Sequence, residues 1–265
     1  MPHGLSLREK LEVTKRAGFD YLEVSVDESD EKLGRLMWGG DRRREVVRAS
    51  RDLGVPIGSI CLSGHRKYPF GSRDAAVRTR SLDIMERALV LARDWDVGLI
   101  QLAGYDVYYG ESGEDTRAWF GESLARSVGM AAEYGIILAF ETMETPFMDT
   151  VAKAMEYVRG ADSPFLQIYP DLGNLTNAAV LYGHGIADDL KLGDGHIAAL
   201  HLKETAPGRY RDVPYGTGHV DFAAGIAAAR DLGVTRFVGE FWDDGKDWLG
   251  QVERANMFLR GFLDS

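Results

Sequence analysis

The chain has a single cysteine, Cys61, which excludes an intrachain disulfide. It lies in the apolar run Ile57-Gly-Ser-Ile-Cys-Leu62, where a small buried side chain without a catalytic role is expected. No long Lys/Arg run is present, and 31 basic against 41 acidic residues give a formal net charge of −10. A nucleic-acid partner is disfavoured, because binding phosphate backbones needs a basic face, although a local cationic pocket is still allowed. No apolar stretch approaches the roughly 18 residues of a membrane span, and no charged-apolar-cleavage leader is visible. No membrane partner is therefore expected, and a soluble cytoplasmic protein is.

What the sequence does have is an apolar run, Ile136-Ile-Leu-Ala-Phe, that stops abruptly at Glu141. A strand of this kind is buried on both faces and delivers its last residue to its C-terminal end. The same grammar recurs at Leu166 to Asp171, Ile197 to His201 and Arg236 to Glu240, so the four end residues follow one another at intervals of 30, 30 and 39 residues. Those intervals match one strand-helix unit of a parallel sheet, and in a closed parallel barrel such ends converge on one rim. A lone strand-terminal carboxylate is as often a helix cap or a loop residue; four in equivalent places read as one divalent-metal site of Glu141, Asp171, His201 and Glu240. Three carboxylates and an imidazole suit a harder ion than a thiolate site would, leaving Mn, Mg, Co or Zn open for the one ion expected.

The 265 residues, 45% of them hydrophobic, fit a single barrel domain spanning 1–265. In chain order, Ser6-Leu-Arg-Glu9 reads as a capping box opening a helix to about Ala17. Strands follow at 21–27, 55–63, 97–103, 136–141, 166–171, 197–201 and 236–240. Helices are expected at about 41–53, 73–95, 114–134, 151–159, 222–232 and 248–263, with one or two short ones within 176–192. Leu36-Met-Trp38 looks exposed, and Arg42 to Arg44 read as a solvated helix face. The aromatic loop Gly104 to Gly110 could wall a pocket or pack the rim. The fold class is α/β, a TIM (β/α)8 barrel with seven countable strands. Its first strand is expected to be missing as the sequence stands, or Met1 not to be the natural start; the unpaired edges would then be 21–27 and 236–242.

The segments VSVDESDEKLGRLMW, ICLSGHRKYPFGS, IQLAGYDVYYGE, AFETMETPFM, YPDLGNL, LHLKETAPG and VPYGTGHVDF resemble those of bacterial L-ribulose-5-phosphate 3-epimerases, members of the xylose-isomerase-like barrels. The resemblance covers essentially the whole chain. It implies that Glu141, Asp171, His201 and Glu240 bind one divalent ion, with Glu141 and Glu240 doubling as the acid/base pair. The implied reaction is epimerisation at carbon 3 of a ketopentose phosphate, interconverting L-xylulose 5-phosphate and L-ribulose 5-phosphate through an enediolate. Inversion there needs two proton-transfer groups on opposite faces and stabilisation of charge on the neighbouring oxygens.

Tagatose-type 3-epimerases carry a substrate-binding histidine where Asn174 stands and an arginine where Pro207 stands, so those two contacts do not carry over. Asn174 is kept as a substrate-binding candidate by position alone. His65, Arg66, Arg211 and the Gly216/Gly218 loop are the candidates for the substrate phosphate. An aldose-ketose isomerase, or a 3-epimerase of a non-phosphorylated ketose, on the same barrel is the alternative. An abasic-site endonuclease of the same fold would be basic and richer in histidine ligands. The partner expected is a small-molecule ketose phosphate, and a homodimer stays open.

Overall fold

The computed structural model describes residues 1–2, 4–242 and 247–264. Strands and helices alternate along the chain. In order they are α1 (Leu7–Arg16), β1 (Leu22–Ser25), α2 (Asp30–Leu33), α3 (Gly40–Leu53), β2 (Ile57–Leu62), α4 (Ala75–Asp94), β3 (Leu99–Ala103), α5 (Glu114–Tyr134) and β4 (Ile137–Glu141). Then come α6 (Val151–Ala161), β5 (Leu166–Tyr169), α7 (Leu172–Tyr182), α8 (Ile186–Lys191), β6 (Leu200–Leu202), α9 (Phe222–Asp231), β7 (Phe237–Gly239) and α10 (Trp248–Leu263). All seven expected strands are present. The Ser6 capping box forms: the serine hydroxyl accepts from the Glu9 amide while the Glu9 carboxylate accepts from the Ser6 amide at 2.7 Å.

β1 to β5 pair in sequence order as a parallel sheet, and β6 pairs parallel with β7. The two sheets join through parallel bridges between Ile168 and Ile197 and between Asp171 and His201. The result is a parallel barrel wall. Among the described residues it is open on one side, because β1 pairs only with β2 and β7 only with β6. Two side-chain bonds span this seam: the Tyr21 hydroxyl donates to the Phe237 carbonyl at 2.7 Å, and Arg236 donates to the Gly58 carbonyl at 3.2 Å.

Strand alternation sorts the side chains by size. Ile60, Leu62, Ile100, Leu102, Leu138, Phe140, Ile168 and Leu200 point outward into the large core shared with the helices. The inward face carries smaller residues such as Ala139 and Ala199, packed with Leu99 and Tyr169. That thin interior lining leaves room for polar groups above it. None of the helices among the described residues is long and apolar enough to cross a membrane.

Two local expectations are corrected. Leu36 is buried, and Trp38 packs edge-on against Trp95 with ring centroids 6.3 Å apart; only Met37 of that trio is exposed. The loop before it contains the short helix α2, capped by the Ser29 hydroxyl. Arg43 is not a solvated face residue, since it pairs with Asp94 on α4 at 2.8 Å.

Candidate metal centre and catalytic pocket

The register of the parallel sheet brings the four strand ends together. Glu141 stands beside Ala103 on one side and Tyr169 on the other; His201 pairs with Val238, and Glu240 follows directly after β7. One potential ligand atom from each of Glu141, Asp171, His201 and Glu240 lies within 4.8 Å of the others. Asp171 combines both roles weighed for a strand-end carboxylate. Its Oδ1 caps α7 by accepting from the Asn174 amide at 2.7 Å, while its buried Oδ2 has no hydrogen-bond partner and faces the cluster. The Glu240 Oε2 atom is likewise buried without a hydrogen-bond partner.

His201 is fully buried, and Glu23 on β1 accepts from its Nε2 at 2.9 Å. Its Nδ1 lies 3.3 Å from Glu141 Oε1 and 3.9 Å from Asp171 Oδ2, and with the proton of a neutral ring on Nε2 it would offer its lone pair to an ion among them. Two buried carboxylate oxygens without hydrogen-bond partners, crowded by a third carboxylate and an imidazole, are the arrangement that a cation resolves. The residues present therefore fit a divalent ion.

Lys203, two residues beyond His201, lies 3.3 Å from Asp171 Oδ2 and 3.4 Å from Glu240 Oε2. Burial disfavours its ammonium, but Asp171, Glu240 and Glu141 outweigh that and raise its pKa. For Glu240, burial raises the carboxyl while Lys203 and His201 more than compensate, holding it below the usual range. Burial pushes the Asp171 carboxyl up; Lys203 opposes this, and the Glu240 and Glu141 charges add to it. For His201, burial works against the imidazolium, and the Glu23 and Glu141 carboxylates override it, raising it well above its ordinary value. The amide of Gln101 on β3 holds Glu141 Oε2 from the side.

A cavity of about 700 Å³ opens over this cluster and runs down the seam between β1 and β7. Cys61 is on its wall rather than wholly enclosed as expected. Burial and then the Glu23, Glu141 and Glu240 charges push its thiol up, which leaves it a poor nucleophile.

The substrate candidates separate. Arg66 lines the cavity, its guanidinium 4.9 Å above the Tyr108 ring, with a buried Nε lacking a hydrogen-bond partner and no ion pair among the described residues. Arg211 lines the same cavity and pairs with Glu144 at 2.7 Å, and Glu144 in turn accepts from the Tyr105 hydroxyl at 2.7 Å.

His65 and Asn174, by contrast, are not on the cavity wall. His65 packs on Phe70 with centroids 4.2 Å apart, bonds the Ser81 carbonyl through Nε2 at 3.1 Å, and has its pKa pushed down to about 4 by burial. It is a neutral packing residue, not a phosphate cation. Asn174 donates to the Thr142 carbonyl at 2.7 Å and braces the rim from behind. The Gly216/Gly218 loop is also corrected. The Gly216 and Val220 amides already donate to Glu204, at 2.9 and 3.2 Å, so that carboxylate occupies the place an anion would take.

Glu23, Lys203 and Glu204 were not singled out in the sequence. A signal for Lys203 was available, because residues two apart in extended chain share a face and His201 was already placed inward.

Comparison with known proteins places these observations. The family described as xylose isomerase-like TIM barrel matches residues 11–261. A relative from Escherichia coli O139:H28, L-ribulose-5-phosphate 3-epimerase UlaE, is 39% identical over 262 residues, which cover 98% of this chain and 91% of the relative. The protein of the same name from Salmonella heidelberg is 40% identical over 267 residues, covering 100% and 93%. Among solved structures, 3-keto-D-glucoside 4-epimerase YcjR from E. coli superposes with a TM-score of 0.78 at 20% identity, over 98% of this chain and 95% of that one. A solved L-ribulose 3-epimerase gives a TM-score of 0.72 at 20% identity, over 97% and 87%. At such identities the structures speak for the fold, and the curated relatives for the family. The chain belongs to the xylose isomerase-like TIM-barrel family and groups within it with the L-ribulose-5-phosphate 3-epimerases, which makes it an isomerase.

Proposed function

We propose that this chain interconverts L-xylulose 5-phosphate and L-ribulose 5-phosphate by inverting carbon 3, with Glu141 and Glu240 as the proton-transfer pair. The observation that carries the reading is the approach of these two carboxylates to one point from separate strands, across a cluster completed by Asp171 and His201. The 39 to 40% identity to relatives named for that phosphorylated ketose supports the substrate.

Asp171, His201 and the two glutamates would hold a divalent ion, which would supply Lewis-acid stabilisation of negative charge on the ketose oxygens. One glutamate removes that proton from one face, and the other returns a proton to the opposite face of the planar enediolate. Lys203 lies 3.3 Å from Asp171 Oδ2 and 3.4 Å from Glu240 Oε2, and its ammonium charge favours the ionised form of Glu240. Arg66 and Arg211 receive the phosphate at the cavity mouth, where the Tyr108 ring positions the Arg66 guanidinium.

The test is incubation of the metal-loaded protein with L-xylulose 5-phosphate in heavy water, followed by NMR. Deuterium at carbon 3 together with L-ribulose 5-phosphate is the expected outcome. An aldose product, with exchange at carbons 1 and 2, would show an isomerase instead.

A further inference from the structure

We infer that Glu23 is a positioning residue of the metal centre: it fixes the tautomer and the ring orientation of His201, so that Nδ1 is presented to the ion. The inference rests on the metal-site reading above and extends it to a strand that contributes no ligand.

The argument starts in the backbone. β1 and β2 run in parallel register except at one place: Leu22 stands opposite Ile57 and Glu23 opposite Ser59, so the register skips Gly58. A Cβ at position 58 would collide with the Tyr21 ring, and glycine there lets Tyr21 lie over the skipped position. Irregularities of this kind re-aim a side chain, and here Glu23 is set beside Ser59 and turned into the barrel.

Its two oxygens then have different work. Oε2 accepts from the Ser59 hydroxyl at 2.5 Å and from the Tyr169 hydroxyl at 3.1 Å. Oε1 is left for His201 Nε2 at 2.9 Å. Tyr169 is itself fully buried, and its ring packs on the His201 ring with centroids 4.6 Å apart, so the imidazole is held both edge-on and across its face. A carboxylate that takes the proton of one ring nitrogen commits the other to be the acceptor and raises its basicity as a ligand. Among the charged groups of the described residues, Glu141 and Asp171 lie on the Nδ1 side of His201 and Glu23 alone on the Nε2 side.

The experiment compares zinc affinity of the purified full chain with that of Glu23→Ala and Glu23→Gln, by competition with a chromophoric chelator, alongside circular dichroism and thermal melting. Loss of a partner of this kind weakens metal binding by roughly 10- to 100-fold. Glu23→Ala is expected near the upper end and Glu23→Gln, whose amide oxygen still accepts from Nε2–H, near the lower, with the native spectrum kept.

Wild-type zinc binding with variant affinities within twofold of it would overturn the positioning role and leave the metal site standing. No zinc binding by the wild type would overturn the metal site and this role with it. If Glu23→Ala fails to fold, Glu23→Gln and the long-range proton–nitrogen spectrum of the zinc-loaded wild type decide. A proton on His201 Nε2 supports the inference, and one on Nδ1 refutes it.

Discussion

Replacing Arg66 by alanine tests the phosphate reading most directly, because the structure sets both the sign and the size of the effect. The guanidinium lies over Tyr108, has a buried Nε without a hydrogen-bond partner, and makes no ion pair among the described residues. Its removal therefore breaks no salt bridge and leaves no carboxylate unpaired. A substrate phosphate would gain a charge-assisted hydrogen bond there, worth roughly 1.5 to 3 kcal/mol. At about 1.4 kcal/mol per tenfold, loss of one such bond raises the Michaelis constant about 10- to 150-fold. The phosphate is remote from carbon 3, so its binding energy is the same in the ground and transition states, and kcat should hold within roughly threefold. Initial-rate kinetics with L-xylulose 5-phosphate and with free L-xylulose separate the cases, the free sugar changing by less than about threefold. An equal rise for both substrates would refute the assignment. Arg211→Ala is the comparator, its charge already being shared with Glu144; a phosphate-selective effect there and none at Arg66 would move the site.

Glu141→Gln and Glu240→Gln should each lower turnover by at least the roughly 10²- to 10⁴-fold that positioned proton transfer contributes, with circular dichroism unchanged. Near-normal turnover of either variant at full metal content would remove its acid/base role. Glu204→Ala takes an acceptor from the Thr205, Gly216 and Val220 amides, so urea unfolding should show a loss of roughly 3 kcal/mol, and a change below about 1 kcal/mol would mean that the late loop is held otherwise. His65 has a pKa of about 4 against an unfolded value of 6.5, so protons bind the unfolded chain first. The stability it contributes is present above about 6.5 and is lost as pH falls toward 4, by about 3 kcal/mol. Urea titrations at pH 7 and pH 4 should show His65→Gln losing less stability across that interval than the wild type, and equal losses would refute the linkage.

The strand ends were legible in the sequence because their signal is local: an apolar run buried on both faces must stop where the chain reaches the rim, and it stops at Glu141, Asp171, His201 and Glu240. Family resemblance then supplied the proposed reaction. The helix starts were readable for the same reason, since a cap such as Ser6 with Glu9 needs only four residues to be recognised. What a side chain meets after the chain has folded was not readable. His65 and Arg66 are neighbours in a basic loop, yet a turn of 3-10 helix sends one against Phe70 and Ser81 and the other over Tyr108 into the cavity. The glycine-rich loop carries the composition of an anion site, but Glu204, at the start of the same connection just after β6, already accepts from its amides. Glu23 is hidden most thoroughly. Period-2 alternation in Tyr21-Leu-Glu-Val-Ser-Val does not say which face is inward; that is decided by a register shift against β2, a pairing between residues more than thirty positions apart. Local pattern thus determined which residues arrive at the rim, and long-range register decided which of them face one another there, because direction across a sheet is a property of the pair of strands and not of either alone.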